Sequence, residues 1–276
     1  MERRIIEMES REIEAEAPLL LHKKVECPIC GMVFSGLTVK TGKVRRIGTE
    51  IDLRPLNKPL DSIKYGVYSC PQCGYSGLIR NYDKLTGAHK KLLLDSVAAS
   101  FVPRDDVEEA DAFSYDEAIK FHKLALVCSE AKRGRDSEKA YTCVLIAWLY
   151  RAKAQVIDRY TTDSDGNLLD WVDHDEKAKL VLECKAQEAR FLKQARDGLV
   201  DAEAKESPPF CGLDIPTTEY MIGAISFLMN DLDMASQMVS RTMINRSANK
   251  KLKDRAYDLK EAIKARKEME KEEVES

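Results

Sequence analysis

The stretches Cys27-Pro28-Ile29-Cys30-Gly31 and Cys70-Pro71-Gln72-Cys73-Gly74 share the pattern C-P-x-C-G and decide how the N-terminal part of the chain folds. Two residues between the cysteines let one tight turn direct both sulfurs at a single ion. The glycine that follows can adopt the positive φ that such a turn needs. Four thiolates are the number and type of ligand that a structural zinc ion takes. The sequence therefore predicts zinc bound by Cys27, Cys30, Cys70 and Cys73.

We call the two C-P-x-C-G stretches the knuckles. Between Cys30 of the first and Cys70 of the second lie 39 residues, more than in the simplest four-cysteine pattern. We interpret the excess as additional strand and loop. A redox-active CxxC pair or disulfides are the alternatives, but a thioredoxin-like site needs a CxxC next to a βαβ unit, and this region has no helical pattern. An ion with four thiolate ligands has no open coordination position, so the site is predicted to be structural.

Residues 23–80 form a segment whose apolar side chains alone give a marginal core. Zinc binding, worth on the order of 10–16 kcal/mol in comparable small domains, would then decide whether the segment folds. It contains ten Lys/Arg and four Asp/Glu, whereas the whole chain has a net charge of −3. A basic module on an acidic body points to an anionic partner.

The composition is that of a helix-rich chain of one or two domains, with 276 residues, 44% hydrophobic and 33% charged. No stretch has the 18 or more apolar residues of a membrane span, and residues 1–18 lack the apolar run of a secretory signal. Cysteines outside the knuckles are scattered over helical segments, which suits a reducing compartment. We expect a cytoplasmic protein that does not contact a membrane.

The segment that carries both knuckles, called the ribbon below, is predicted to contain strands at 38–44, 47–53, 65–69 and 75–79, with a loop at 56–62. Each knuckle then lies next to strands, as in a zinc ribbon. Four basic residues between the knuckles are candidates for contact with nucleic acid on a basic hairpin: Lys40, Lys43, Arg45 and Arg46. The alternative is that they make the open face of a small sheet soluble, since aromatic residues that could stack on bases are few there.

The rest of the chain has helical periodicity, with Ser114 and Glu117 forming a capping box before one helix. Helices are predicted at 88–99, 113–131, 136–160, 176–206, 218–230, 232–245 and 250–271, with breaks at 103–106 and 207–216. The predicted class is α+β, mostly α. The predicted domains are an N-terminal segment 1–22 (helical or disordered), a zinc ribbon 23–82, a helical domain 83–265 and a charged tail 266–276.

The helices are predicted to form a tetratricopeptide-like antiparallel array, whose helix pairs repeat about every 34 residues. Gly223 and Ala235 are twelve residues apart, and Ala118 and Ala125 are seven apart, as are small residues of that repeat. The register is imperfect, and an irregular helical bundle is the alternative.

Three features together resemble one family: the two knuckles, Ala147-Trp148-Leu149-Tyr150-Arg151 and Tyr220-Met221-Ile222-Gly223. The chain is similar over about residues 20–265 to the uncharacterised bacterial family DUF2225. The resemblance implies a zinc ribbon followed by tetratricopeptide-like helices, with the knuckle cysteines as ligands. It implies no activity.

Other candidate sites are weak. The four histidines lack a partner at metal-ligand spacing, and His22 is either a donor near the first knuckle or a surface residue. Residues 163–167 resemble part of a calcium loop but lack its final glutamate, which favours an Asx turn. The remaining cysteines are expected in the core: Cys128, Cys143, Cys184 and Cys211.

We therefore expect a non-catalytic adaptor whose helical array binds a protein or peptide partner. The alternative is a nucleic-acid-binding protein that uses the basic ribbon. A weaker alternative is an enzyme whose residues converge only in three dimensions. The sequence leaves the oligomeric state open.

Overall fold

The computed structural model describes residues 2–103 and 110–275. The predicted break at 103–106 lies outside them except for its first residue. In chain order the helices and strands are α1 Glu2–Glu16, β1 Leu20–Glu26, β2 Val33–Val39, β3 Arg45–Thr49, β4 Pro55–Lys58, β5 Val67–Ser69, β6 Ser76–Leu78, α2 Gly87–Leu93, α3 Tyr115–Ala131, α4 Asp136–Thr161, α5 His174–Lys205, α6 Ile215–Leu228, α7 Leu232–Ile244 and α8 Lys250–Glu275.

The strands form three two-stranded sheets, β1–β2, β3–β4 and β5–β6. The first and third are antiparallel, with registers that run from Leu20↔Val39 to Glu26↔Val33 and from Val67↔Leu78 to Ser69↔Ser76. The prediction of a mostly helical α+β chain, with small antiparallel strand pairs near the N-terminus and a four-cysteine cluster, is confirmed.

The strand boundaries in the ribbon differ from those predicted. The strand predicted at 38–44 is wrong for most of its length: β2 ends at Val39, and the chain then turns, with a φ of 77° at Gly42, before β3 begins at Arg45. Strand β1 was not predicted, since only Leu20 and Val25 among its residues are buried and no alternation is visible. The predicted loop at 56–62 contains most of β4.

The β1–β2 and β5–β6 hairpins, which carry the two knuckles, pack against each other at Gly36 of β2. A Cβ atom built on Gly36 of β2 would lie 2.6 Å from Cε1 of Tyr68 on β5, closer than real side chains approach. Tyr68 is 6% exposed and also contacts the ring of Tyr82 edge-on, with ring centroids 5.5 Å apart. Gly36 therefore gives the tyrosine ring its place between the hairpins.

The helices begin and end close to the predicted positions. The capping box of α3 is confirmed, because the Ser114 hydroxyl accepts from the Glu117 N–H while the Glu117 carboxylate accepts from the Ser114 N–H. Helix α2 passes at Leu94 into a π-helical turn that ends at Ala98, and residues 99 and 100 are again helical, so the helical segment covers the predicted range 88–99. Helix α8 continues to Glu275.

The chain divides by its internal contacts into two compact units. The first consists of residues 1–47, 57–134 and 142–191, and the second of residues 48–56, 135–141 and 192–276. The first has one core around the knuckles, a second around Leu20, Leu60 and Tyr65, and a third around Ile157 and Cys184. The second has its core among α6, α7 and α8. None of the helices described is long and apolar enough to cross a membrane.

Candidate metal centre

The two knuckles are built alike at the ends of the β1–β2 and β5–β6 hairpins. In the first, the Cys27 N–H donates to the Met32 carbonyl and the Gly31 N–H to the Cys27 carbonyl, at 2.8 and 2.9 Å. In the second, the equivalent bonds of Cys70 and Gly74 are 2.8 and 3.0 Å. Gly31 and Gly74 have φ values of 76° and 72°, the region in which glycine carries no steric cost. The expected use of glycine after each cysteine pair is confirmed.

The four sulfur atoms of the knuckles form one cluster, in which all lie within 4.8 Å of one another. The Cys27 and Cys73 sulfurs are 3.6 Å apart, as are those of Cys30 and Cys70. A tetrahedral zinc ion with Zn–S bonds of about 2.3 Å separates its sulfurs by about 3.8 Å, whereas a disulfide needs about 2.05 Å. The cysteines are free thiols. Their arrangement can hold a metal ion with four sulfur ligands.

The knuckle backbone is arranged to stabilise negative charge on the sulfurs. The N–H groups two and three residues on, at Ile29 and Cys30, donate to the Cys27 sulfur. Those of Gln72 and Cys73 do the same for Cys70. Hydrogen bonding among the thiols lowers the pKa of Cys27 to about 2 and raises the pKa of Cys70 to about 12. These hydrogen bonds favour the thiolate form of Cys27, and a cation that binds all four sulfurs displaces the protons that remain.

The cluster is enclosed on most sides. Cys27, Cys70 and Cys73 are at most 5% exposed, and Cys30 is exposed. Helix α3 covers the second knuckle: the Cys128 sulfur accepts from the Ser76 N–H at 3.3 Å. The prediction that Cys128 is a core residue is confirmed, but its contact with the knuckle could not be predicted, because 54 residues of sequence separate it from Gly74.

Aromatic residues complete the surroundings of the sulfurs. The Tyr75 hydroxyl donates to the Tyr82 carbonyl at 2.8 Å, and the two rings are 4.8 Å apart. Tyr82 is 4% exposed. Burial, and then the charge on Cys27, raise the pKa of Tyr82. The Tyr82 hydroxyl therefore lies close to the Cys27 sulfur, a position that the sequence did not indicate.

The four basic candidates do not form one hairpin, as predicted: Lys40 and Lys43 lie in the connection between β2 and β3, and Arg45 and Arg46 begin β3. Strand β2 pairs with β1 and β3 with β4. Lys40 is half-buried, and its ammonium group donates to the Pro18 carbonyl at 2.9 Å. Lys43, Arg45 and Arg46 are exposed.

The other candidates are placed away from the cluster. His22 is exposed on β1, with Nδ1 3.0 Å from the Ser35 hydroxyl, while His122 is fully buried. The Asp163 carboxylate accepts from the N–H groups of Asp165 and Asn167, both at 2.9 Å, which confirms the predicted Asx turn. The expectation that the other cysteines are core residues is also confirmed: Cys143, Cys184 and Cys211 are buried.

Comparison with known proteins gives one match. Neither a curated protein nor a solved structure matches significantly. The family model described as "Uncharacterized protein conserved in bacteria (DUF2225)" matches residues 20–263, which include both knuckles and all helices from α2 to α7. The chain belongs to this bacterial family, DUF2225.

Proposed function

We propose that the protein is a non-catalytic adaptor, in which a structural zinc ion on Cys27, Cys30, Cys70 and Cys73 fixes the ribbon and the helices bind a protein or peptide partner. The observation that carries the zinc assignment is the spacing of the sulfurs, 3.6 Å across each pair. Four thiolates in tetrahedral geometry are a common ligand set of structural zinc, and they leave the ion no position for a substrate.

The packing of α6 against α7 supports a helical array of the tetratricopeptide type. A Cβ atom on Gly223 would lie 3.2 Å from the Met238 side chain and 3.4 Å from the Ala235 carbonyl. Small residues at these positions let the two helices approach closely. The helices have 14 and 13 residues, lengths that fit one helix pair of about 34 residues with its turns. Arrays of this kind use their surfaces to bind peptides and proteins.

The zinc assignment is tested by metal analysis of the purified chain and of Cys70→Ser. We expect one zinc per chain in the parent and none in the variant, which should lose the structure of the ribbon while most of the helical circular dichroism remains. Cys143→Ser, which alters a buried cysteine of α4 away from the cluster, is the matched control and should keep its zinc. Equal zinc in Cys70→Ser and the parent would show that the ligands are wrong.

The adaptor role is tested by affinity purification of the full chain after nuclease treatment. A single protein partner that survives the nuclease supports it. The exposed residues Lys43, Arg45 and Arg46 favour nucleic-acid binding as a second candidate function. In that case affinity for RNA or DNA would fall steeply with salt and would be lost when these three residues are changed to glutamate.

A further inference from the structure

Helix α1 lies on the first unit with one face, and that face is partly acidic. Its half-buried or buried positions are 5, 8, 9, 12, 13 and 16, whereas the positions between them are exposed. This is the 3–4 spacing of a helix that docks along one side. Among the inward positions, three are glutamates.

The contacts of α1 give these glutamates a hydrogen-bond donor or a cation as partner. The Glu9 carboxylate accepts from the Tyr115 N–H, in the first turn of α3, at 3.0 Å. Glu12 forms an ion pair with Arg159 near the end of α4. Ile5 packs against an apolar patch whose buried members are Ala154, Ile157 and Cys184. We name the area formed by Tyr115, Arg159 and this patch the α1-binding surface.

The first three turns of α1 are held by side chains that are only half-buried, at positions 5, 8, 9 and 12. The Glu12–Arg159 pair is solvent-exposed, with side-chain exposures of 36% and 60%, and exposed ion pairs contribute little net stability. A helix of 15 residues is marginal on its own. The last turn differs, because Ile13 packs against a buried core cluster and Glu16 is buried beside Lys64 at 2.6 Å. Glu16 can therefore anchor the end of α1 while the preceding turns detach.

The family match separates α1 from the surface beneath it. The match begins at residue 20, after α1, whereas Tyr115, Arg159 and the apolar patch lie inside it. The surface thus lies inside the matched range, and α1 lies outside it.

We infer that α1 is a displaceable intramolecular ligand, and that the partner of the adaptor binds the α1-binding surface through an acidic amphipathic helix. This inference rests on the proposed function. The partner helix would carry a large apolar residue followed at intervals of four and seven residues by carboxylates, as Ile5, Glu9 and Glu12 do. Binding at this surface requires α1 to leave it, so α1 lowers the affinity for the partner.

The test uses a fluorescent synthetic peptide of residues 2–17 as the probe and full-length chains as receptors. Ile5→Asp removes the apolar anchor of α1 but leaves the surface unchanged. Since a tethered ligand competes at an effective concentration in the millimolar range, we expect this variant to bind the probe about tenfold or more tightly than the parent. Ile6→Asp is the matched control, because Ile6 is 60% exposed, and it should behave as the parent.

Two further measurements make the test specific. Adding Arg159→Glu to Ile5→Asp should weaken binding of the probe, and a probe carrying Glu12→Arg should restore it. Hydrogen exchange of the α1 amides should be faster in Ile5→Asp than in the parent or in Ile6→Asp. If the α1 amides exchange faster in Ile5→Asp but the chain fails to bind the probe, the surface is not a receptor for such helices.

The inference is also overturned if the α1 amides of the parent exchange as slowly as those of α3 and α4, since α1 would then be a permanent part of the fold. Its failure can be told apart from that of the adaptor proposal. A partner captured equally by the parent and by Ile5→Asp retains the adaptor and refutes the α1-binding surface. Tight binding of the probe, with no cellular protein partner captured, would retain the α1-binding surface and refute the adaptor.

Discussion

Acidification should destabilise the chain through one histidine, His122 of α3. The ring is fully buried, and its Nδ1 lies 2.7 Å from the Ala118 carbonyl, while Nε2 has no hydrogen-bond partner among the described residues. Burial disfavours the charged imidazolium and lowers the pKa of His122 to about 4, against the usual 6.5, and the hydrogen bond to Ala118 opposes this only in part. The folded chain therefore keeps His122 neutral over a pH range in which an unfolded chain protonates it.

The sign and size of the effect follow from this difference. Between pH 6.5 and pH 4 the unfolded state binds more protons at this residue, so the free energy of unfolding falls as the pH falls. Each pKa unit corresponds to about 1.36 kcal/mol. Between pH 7.5 and pH 5, a shift from 6.5 to about 4 removes about 2 kcal/mol of stability. The full effect, reached below pH 4, is about 3 kcal/mol.

The assay is urea unfolding at several pH values, with the parent compared to His122→Asn. The asparagine amide can still donate to the Ala118 carbonyl but does not titrate. The variant will be less stable than the parent at pH 7.5. The quantity to compare is the loss of unfolding free energy between pH 7.5 and pH 5, which should be smaller in the variant. Because both chains would release metal alike on acidification, the difference between their losses removes that contribution. His174→Asn, at an exposed histidine, should match the pH dependence of the parent.

If unfolding is not two-state, the protonation of His122 in the folded chain can be measured directly. Nuclear magnetic resonance of the histidine rings should show the His122 signals unchanged from pH 7.5 to pH 5. A titration of His122 with a midpoint at or above 6, or identical pH dependence in the parent and His122→Asn, would refute the reasoning.

Two further predictions concern the ribbon. Tyr82→Phe should weaken zinc binding by about tenfold or more in a competition assay with a chelator, because it removes a hydroxyl close to the Cys27 sulfur. Tyr68→Phe removes another buried hydroxyl, whose pKa is raised by burial alone and not by the charge on Cys27, and it should leave zinc affinity near that of the parent. Equal effects of the two substitutions would contradict the role of Tyr82. Gly36→Ala should cost about 1–3 kcal/mol in thermal or urea unfolding of the zinc-loaded chain, since the new methyl would overlap the Tyr68 ring. Gly48→Ala, whose methyl would lie 3.4 Å from its nearest neighbour, should cost less, and the opposite order would show that the hairpins do not pack as described.

The four-cysteine cluster was predictable because its geometry is local. Each knuckle carries its own turn, its own glycine at positive φ and its own backbone donors within five residues of sequence. The helices were predictable for the same reason, as the capping box at Ser114 and Glu117 shows. In both cases short-range geometry and hydrogen bonding set the structure, and a single sequence records them.

What the sequence could not show depends on contacts between distant residues. Lys64 and Glu16 are charged, and their positions in the sequence resemble those of surface residues. In the fold they are buried as a pair at 2.6 Å, and the Tyr65 hydroxyl also donates to Glu16 at 2.6 Å. A buried charge is tolerated only with such partners, and no periodic pattern reveals which residues will meet across 48 positions. The burial of His122 was hidden in the same way.

The long interval between the knuckles has a structural reason beyond extra strand and loop. Residues 48–56 belong to the second unit, where Ile51 and Leu53 pack against the core of α6, α7 and α8. The Tyr220 hydroxyl of α6 donates to the Ile51 carbonyl at 2.9 Å, and the Arg255 guanidinium of α8 donates to the Glu50 carbonyl at 3.4 Å. A ribbon with the shortest interval would lack this segment. The interval therefore supplies part of the core of the helices, and shortening it at residues 48–56 should destabilise α6–α8 even when both knuckles remain intact.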